Sequence, residues 1–129
     1  MGTDVKRFKL GAISDEVSQD LETALKFLKE FGLEWVELRN LWGKYVTDID
    51  RDSVKKTQKL LKKYKFRVSA LDTAFLKCLP PEISPGERLG SEPDTYHYSE
   101  QYDLLKRALE KANTFAFSNA LFSKSYCSP

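Results

Sequence analysis

Three consecutive segments of the chain repeat one local pattern: a short apolar run, a polar loop, and a stretch whose apolar residues recur with a period near 3.6. Strands that alternate with helices of this length are typical of parallel βαβ units joined by right-handed crossovers. The repeat therefore predicts an α/β protein with about three βα units and parallel strands. The predicted strands cover residues 8–13, 33–38 and 66–71, and the predicted helices cover residues 20–31, 53–64 and 99–112.

The predicted helix boundaries depend on residues that cap free backbone groups. Ser18 or Asp20 is suited to accept hydrogen bonds from the first turn of helix one, and Asp50 or Asp52 from that of helix two. Gly32 suits the left-handed conformation that ends many helices. The residues expected to face the core are Leu21, Ala24, Leu25, Phe27, Leu28 and Phe31 in helix one, Val54, Leu60, Leu61 and Tyr64 in helix two, and Tyr102, Leu105, Ala108, Leu109 and Ala112 in helix three.

The length of 129 residues predicts a single domain. A loop from Asp72 to about Tyr98 separates the third strand from helix three, and loops of this length are usually functional lids or disordered stretches. Residues 114–129 lose the repeating pattern and form an atypical tail, in which Thr114–Phe117 is a candidate fourth strand. The loops after the strand ends are where parallel α/β proteins carry their chemistry, so candidate site residues are sought there.

Composition and charge exclude several classes of protein. The 21 basic and 19 acidic residues give a net charge of +2, which provides no general attraction for nucleic acid or an anionic membrane. Cys78 and Cys127 lack CxxC spacing, which favours reduced thiols in a cytosolic protein. No apolar run approaches the roughly 20 residues of a membrane span. We therefore expect a cytoplasmic protein without a membrane partner.

Three motifs occur in order along the first two units: GAISDEVS at residues 11–18, GLEWVELR at residues 32–39, and LWGK at residues 41–44. Together they resemble the start of the sugar phosphate isomerase/epimerase family, the xylose-isomerase-like TIM barrels grouped with the family 2 apurinic endonucleases. The resemblance extends from about Lys9 through helix three and fades after Asn113. It implies an incomplete TIM (β/α)8 barrel, in which residues 1–129 are the N-terminal part, because a whole barrel takes about 250 residues.

The resemblance also implies a chemistry. In the family a divalent metal (Mn, Mg, Zn or Co) polarises the oxygens of a sugar or sugar phosphate, and a carboxylate base moves a proton. The family's metal ligands come mainly from later strands, so we expect this chain to bind no metal and to be inactive alone, and no catalytic residue is assigned. The positions that match substrate-facing loops are Glu37, Arg39, Trp42, Asp15, Glu16 and Asp72.

Five of these six positions, all except Asp72, also have a purely structural interpretation. Glu37 and Arg39 would form a salt bridge across the strand end. Trp42 would pack rather than stack on a sugar. Asp15 and Glu16 would complement the positive end of the helix dipole. For Trp42, Asp15 and Glu16 the structural interpretation is favoured, whereas for Glu37 the two are even.

For two further features a structural interpretation is preferred to a functional one. His97, the single histidine, is expected to be exposed or to cap a helix rather than to bind metal. The lysines of helix two, Lys55, Lys56, Lys59, Lys62 and Lys63, are expected to form a solvated face and not a nucleic-acid site.

Two alternative functions stay open from the sequence. One is metal-dependent hydrolysis of abasic DNA on the same barrel, although the acidic residues of the predicted mouth disfavour a polyanion. The other is a stand-alone small α/β binding module. An open sheet of three strands has two free edges, so self-association is also expected.

Overall fold

The structure, a computed structural model, describes residues 8–78 and 96–118. It is a mixed α/β fold with a three-stranded parallel sheet, as the repeating pattern predicts. In chain order the elements are β1 (Gly11–Ile13), a 3-10 turn (Ser14–Glu16), α1 (Leu21–Glu30), β2 (Trp35–Leu38), β3 (Asn40–Leu41), β4 (Lys44–Tyr45), α2 (Arg51–Tyr64), β5 (Arg67–Leu71), a second 3-10 turn (Tyr98–Glu100) and α3 (Gln101–Ser118).

The main sheet has the strand order β1-β2-β5, so strands that follow one another in the repeat are neighbours in space. Ala12 pairs with Val36, and Val36 pairs with Val68. The register between β2 and β5 shifts after Val36, and Glu37 therefore lies opposite Ala70. The described strands form an open sheet and not a closed barrel.

The core lies between one face of the sheet and the helices. Val36 and Leu38 of β2 are buried there, in one cluster with residues of all three helices. Trp35 and Glu37 alternate with them and point to the opposite face. The cluster consists of Leu21, Leu25, Leu28, Val36, Leu38, Leu41, Val46, Ile49, Leu60, Leu61, Phe66 and Phe115.

Helices α1 and α2 begin at capping residues that the sequence predicts. A carboxylate oxygen of Asp20 accepts a hydrogen bond from the Thr23 N–H at 3.0 Å. Asp50 caps α2 in the same way, with the Ser53 N–H at 2.8 Å. Gly32 follows α1 with a φ of 72°, which a residue without a side chain adopts at little cost.

The predicted buried face of α1 is wrong at two positions. Phe27 and Phe31 are exposed, and their rings contact each other with centroids 4.9 Å apart. Leu21, Leu25 and Leu28 already fill the contact with the sheet and with α2. The two phenylalanines extend the apolar stripe beyond that contact, onto a flank of the helix that no described element covers.

The predicted face and end of helix three are also wrong. Tyr102, Leu109 and Ala112 are exposed, whereas Leu104 and Phe115 are buried. Apolar residues occupy more than one side of this helix, so periodicity alone did not identify the side that packs against β5. Thr114–Phe117 is not a fourth strand, because α3 continues to Ser118. Of the predicted loop from Asp72 to Tyr98, residues 79–95 lie outside the described residues.

The segment after β2 was predicted as a loop, and it contains a small hairpin. Strands β3 and β4 are antiparallel and are joined by the two residues Trp42 and Gly43. Their φ values of 52° and 80° are those of a type I′ turn, which suits the twist of a hairpin. Tryptophan is rare at the first of these positions, so the usual asparagine–glycine signal is absent.

Asp20 joins α1 to this hairpin, because its second carboxylate oxygen accepts a hydrogen bond from Trp42 Nε1 at 3.0 Å. Replacing Asp20 with alanine is expected to lower the free energy of unfolding by about 1–2 kcal/mol, the usual cost of an N-cap. Asp20→Asn keeps a capping oxygen and is expected to lose less. Urea unfolding followed by circular dichroism measures both, and Trp42→Phe is compared with them as a variant that removes the indole bond together with part of the ring packing. Equal stability of the alanine and asparagine variants would contradict the capping role.

Glu22 links α1 to α2 and makes their packing sensitive to acid. Its carboxylate accepts hydrogen bonds from Lys63 Nζ at 2.8 Å and Tyr64 Oη at 2.7 Å. These bonds, that of Lys63 foremost, lower the pKa of Glu22 below its ordinary value of 4.5. A carboxyl group with a lowered folded pKa stabilises the fold fully above its unfolded pKa, and the stabilisation is lost as the pH falls through the folded value.

The wild-type protein is therefore expected to lose stability more steeply than Glu22→Gln below the ordinary pKa of 4.5. Urea midpoints measured across that pH range test the difference. Glu30→Gln is the matched control, because Glu30 is an exposed carboxylate of the same helix without an ion pair among the described residues. Parallel pH profiles of wild type and Glu22→Gln would show that the link contributes nothing.

Candidate functional site

Four of the six predicted site residues lie together where the three parallel strands end. Asp15 and Glu16 form the turn after β1, Arg39 follows β2, and Asp72 follows β5. The Arg39 Nε lies 3.0 Å from Asp15 Oδ2, and the Arg39 guanidinium also pairs with Glu16. Its Nη1 lies 4.0 Å from Asp72 Oδ2. The carboxyl ends of the strands therefore meet around one arginine.

The bond between Arg39 and Asp15 is the most shielded contact of this cluster. The side chain of Asp15 is only 2% exposed, and its Oδ2 also accepts a hydrogen bond from Asn40 Nδ2 at 2.8 Å. The hydrogen bond with Asp15, followed by that with Glu16, raises the pKa of Arg39 above its ordinary value. The guanidinium is thus engaged by carboxylates of its own chain.

These contacts correct one structural interpretation of the sequence. Arg39 pairs with Asp15 and Glu16, not with Glu37 across the strand end. The cap of α1 is Asp20, as the sequence predicts. The distance along the chain between Asp15 and Arg39 explains why local patterns could not identify the pair.

Asp72 is held by several contacts at the end of β5. Its N–H donates to the Leu38 carbonyl at 2.9 Å, which continues the pairing of β5 with β2. Its Oδ1 lies 3.3 Å from Lys77 Nζ. Both oxygens of this carboxylate therefore face cations of the protein.

The carboxylates of this cluster do not form a metal site. Within residues 8–78 and 96–118, no group of three histidine, cysteine, aspartate or glutamate side chains is arranged to hold a metal ion. Asp15, Glu16 and Asp72 direct their oxygens at Arg39, Asn40 or Lys77. The described residues therefore do not fit the divalent metal that the resemblance implies.

Trp42, in the turn of the hairpin, lies apart from this cluster and contacts the beginning of α1 and one side of α2. Its indole N–H donates to Asp20, and Lys56 Nζ lies 4.3 Å from its ring centroid. The ring is half-buried against the core cluster. These contacts agree with the packing interpretation of Trp42.

Glu37 lies on the open face of the sheet, in a groove. The groove has a volume of about 410 Å³. Glu37 is half-buried there, and it forms no hydrogen bond or ion pair with any described residue. It is therefore a carboxylate that is free to accept hydrogen bonds from a ligand. The groove is lined by Lys9, Gly11, Ala12, Ile13, Trp35, Glu37 and Ser69.

Trp35 is the aromatic residue of this groove, and sequence reasoning missed it. Lys9 Nζ lies 5.0 Å and Arg67 Cζ 5.5 Å from its ring centroid, within the range of cation–π contacts. A signal was present, because Val36 and Leu38 are apolar and alternation then places Trp35 beside Glu37 on the other face. Lys9 lies within the predicted first strand but just before β1 as the structure has it, and the sequence analysis assigned it no role.

Several remaining predictions concern residues outside these two sites. His97 is exposed and precedes the second 3-10 turn, and its N–H donates to Glu100 Oε2 at 2.8 Å. Cys78 is a free thiol, and Cys127 lies outside the described residues. None of the described helices combines the length and the apolar character needed to cross a membrane. The predicted lysine face of α2 is exposed throughout, at Lys55, Lys56, Lys59, Lys62 and Lys63.

Replacing Arg39 with methionine is expected to lower the free energy of unfolding by about 3 kcal/mol, because the buried carboxylate of Asp15 loses its cation. Adding Asp15→Asn removes the uncompensated charge and should recover part of the loss. Glu16→Gln is the control, since an exposed ion pair contributes at most about 1 kcal/mol. Urea unfolding of the four proteins provides the measurement. A similar loss for Glu16→Gln and Arg39→Met would contradict the dominant role of Asp15.

No known protein family, curated protein or solved structure matches the chain. The resemblance to the sugar phosphate isomerase/epimerase family therefore depends on the short motifs of the first two units alone. The arrangement of the described side chains is the remaining basis for inferring a function.

Proposed function

We propose that this chain supplies three βα units of a (β/α)8 barrel of the sugar phosphate isomerase/epimerase type, and that it binds a sugar or sugar phosphate. The strand order supports the barrel. Consecutive parallel strands are neighbours, and all three helices pack into one cluster with one face of the sheet. In a barrel the helices lie outside and the other face points inward, whereas doubly wound sheets carry helices on both faces.

The observation that carries the ligand proposal is the unpaired carboxylate of Glu37 in the groove. An ionised carboxylate offers two acceptor oxygens, which suits neighbouring sugar hydroxyls. The Trp35 ring lies on the same face, with Lys9 and Arg67 against it, and it adds apolar surface to the groove. Lys9, at the other end of the groove, is a cation for a phosphate group. In an extended chain Lys9 and Ile13, the partner of Glu37, are about 13 Å apart, which leaves room for a sugar phosphate.

The division of roles follows from the residues present. Glu37 and Trp35 orient the sugar, and Lys9 attracts its phosphate. Arg39 positions the loops after β1 and β2 and does not contact the ligand in this proposal. The resemblance assigns the metal ligands and the base to later strands, so this chain alone is proposed to bind without turnover, in the cytoplasm.

Hydrolysis of abasic DNA on the same barrel is less compatible with the strand ends. DNA binding requires cations directed at phosphates. The Arg39 guanidinium instead faces Asp15, Glu16 and Asp72. The acidic surroundings of this arginine oppose a polyanion.

The ligand proposal is testable through Trp35 fluorescence. In a Trp42→Phe background Trp35 is the only tryptophan, and pentose or hexose phosphates are expected to change its emission saturably. Glu37→Gln should weaken binding by about tenfold or more, because a hydrogen bond to a charged group contributes about 1.5–3 kcal/mol. Glu34→Gln, at an exposed carboxylate next to the same strand, is the matched control.

Two results would contradict the proposal. One is the absence of any saturable change with sugar phosphates, which would favour a binding module for another class of partner. The other is an equal affinity of Glu37→Gln and Glu34→Gln.

Assays of the same samples with added Mn²⁺, Mg²⁺, Zn²⁺ or Co²⁺ are expected to show no isomerase turnover. Turnover at an enzymatic rate would refute the division of roles.

A further inference from the structure

Strand β1 forms one edge of the described sheet. Gly11, Ala12 and Ile13 pair with β2 on one side only. A free edge presents unpaired N–H and C=O groups to other strands, and proteins often protect such edges with charged residues or proline. Here the residues just before β1 include Phe8 and Leu10, which are 93% and 69% exposed. Solvent-exposed apolar side chains therefore lie next to this free edge.

Helix α1 exposes two more apolar residues on the same side of the molecule. Phe27 and Phe31 are 47% and 67% exposed. Glu22 of α1 contacts Lys63 and Tyr64 of α2, so it marks the side of α1 that faces α2. At 100° per residue, Phe27 and Phe31 lie about 140° and 180° from Glu22 around the helix. They therefore lie away from α2, on the side of β1.

Phe8 and Leu10 belong to the same surface. Ala12 packs against the core on the helical face of the sheet, and Lys9 contacts Trp35 on the open face. Residues 8–10 precede β1, but Lys9 lines the same groove as Gly11 and Ile13, so the alternation of β1 continues back along the chain and places Leu10 and Phe8 on the helical face. Because α1 runs antiparallel to β1, its last turns lie near the beginning of β1. We call the surface formed by Phe8, Leu10, Phe27 and Phe31 the β1–α1 flank.

We propose that two copies of this chain associate through the β1–α1 flank, with the two β1 edges antiparallel about a twofold axis. A twofold interface places the same patch of each copy against the other, so apolar side chains meet apolar side chains. Taking the exposed fractions and about 200 Å² for each side chain, the flank contributes about 500 Å² per copy. Two copies then bury about 1,000 Å², the lower limit for a specific interface, before the pairing of the edges is counted.

The opposite side of the molecule is a poorer surface for the second copy. Tyr102 and Leu109 are exposed on α3, but charged groups lie among them. Lys106 Nζ lies 4.6 Å from the Tyr102 ring centroid, and Arg107 pairs with Asp48 at 3.3 Å. A head-to-tail contact would have to desolvate these charges, whereas on the β1–α1 flank the rings of Phe27 and Phe31 contact each other.

Sedimentation velocity over a range of protein concentrations tests the association. The wild-type chain is expected to show a monomer–dimer equilibrium. Phe27→Ser with Phe31→Ser should raise the dissociation constant at least tenfold, since each copy loses two buried aromatic side chains. Tyr102→Ser with Leu109→Ser removes the same number of exposed apolar side chains from α3 and is expected to leave the dissociation constant unchanged.

A second measurement reports on the strand edge and on folding. Amide hydrogen exchange of residues 11–13 is expected to slow as the wild-type concentration rises, and not in the Phe27/Phe31 variant. Circular dichroism of both variants should match the wild type, because all four substituted side chains are exposed. A wild-type monomer at every concentration, larger assemblies without a dimer, or equal effects of the two double substitutions would overturn the proposal.

Discussion

Strand β2 is the element on which the rest of the structure depends, because it lies between β1 and β5 and alternates between two different environments. Val36 and Leu38 point into the core and contact residues from the helices. Trp35 and Glu37 point to the open face and line the groove. A shift of one residue along β2 would exchange the two sets and place a carboxylate in the core. The burial of Val36 and Leu38 therefore also determines where Glu37 lies.

The ends of the strands are held together by charge. Arg39, which directly follows β2, binds Asp15 in the turn after β1 and lies 4.0 Å from Asp72 after β5. A cation surrounded by carboxylates of its own chain holds three loops in place, and it is poorly placed to attract an anionic ligand. This distinguishes the strand ends, where the ion pairs stabilise the fold, from the groove, where the carboxylate of Glu37 has no partner among the described residues.

Two surfaces of the fold carry residues of the kind that a larger protein would cover with further elements. The open face carries Trp35 and Glu37, and the β1–α1 flank carries exposed phenylalanines beside a free strand edge. The flank is costly to leave in water, because apolar area and unpaired backbone groups are exposed there. Further βα units or a second copy of the chain would cover the flank, and these two arrangements differ in what happens to the open face. Additional strands would curve the sheet around it, whereas a twofold pairing of β1 edges would extend the sheet and leave the groove accessible.

Sequence reasoning succeeded where neighbouring residues determine the structure. Asp20 and Asp50 cap their helices because a short side chain reaches the free N–H groups three residues ahead, and Gly32 follows α1 because it lacks a side chain. The lysines of α2 are exposed because the opposite side of that helix carries its leucines. The parallel arrangement of three strands follows from the same local periodicity, since each strand is followed by a helix that returns the chain.

Only the tertiary structure decided which groups meet across the chain. Arg39 had a nearby candidate partner in Glu37, but it binds Asp15, 24 positions away, because β1 and β2 are neighbours in the sheet. Phe27 and Phe31 continue the apolar stripe of α1, yet they are exposed because the described sheet ends at β1. On α3 the predicted buried face included Leu109, whereas the structure buries Leu104 and also Phe115, which lies beyond the predicted end of that helix. Local patterns determine how each segment folds, whereas burial and ion pairing depend on which segments are neighbours, and that is a property of the whole fold.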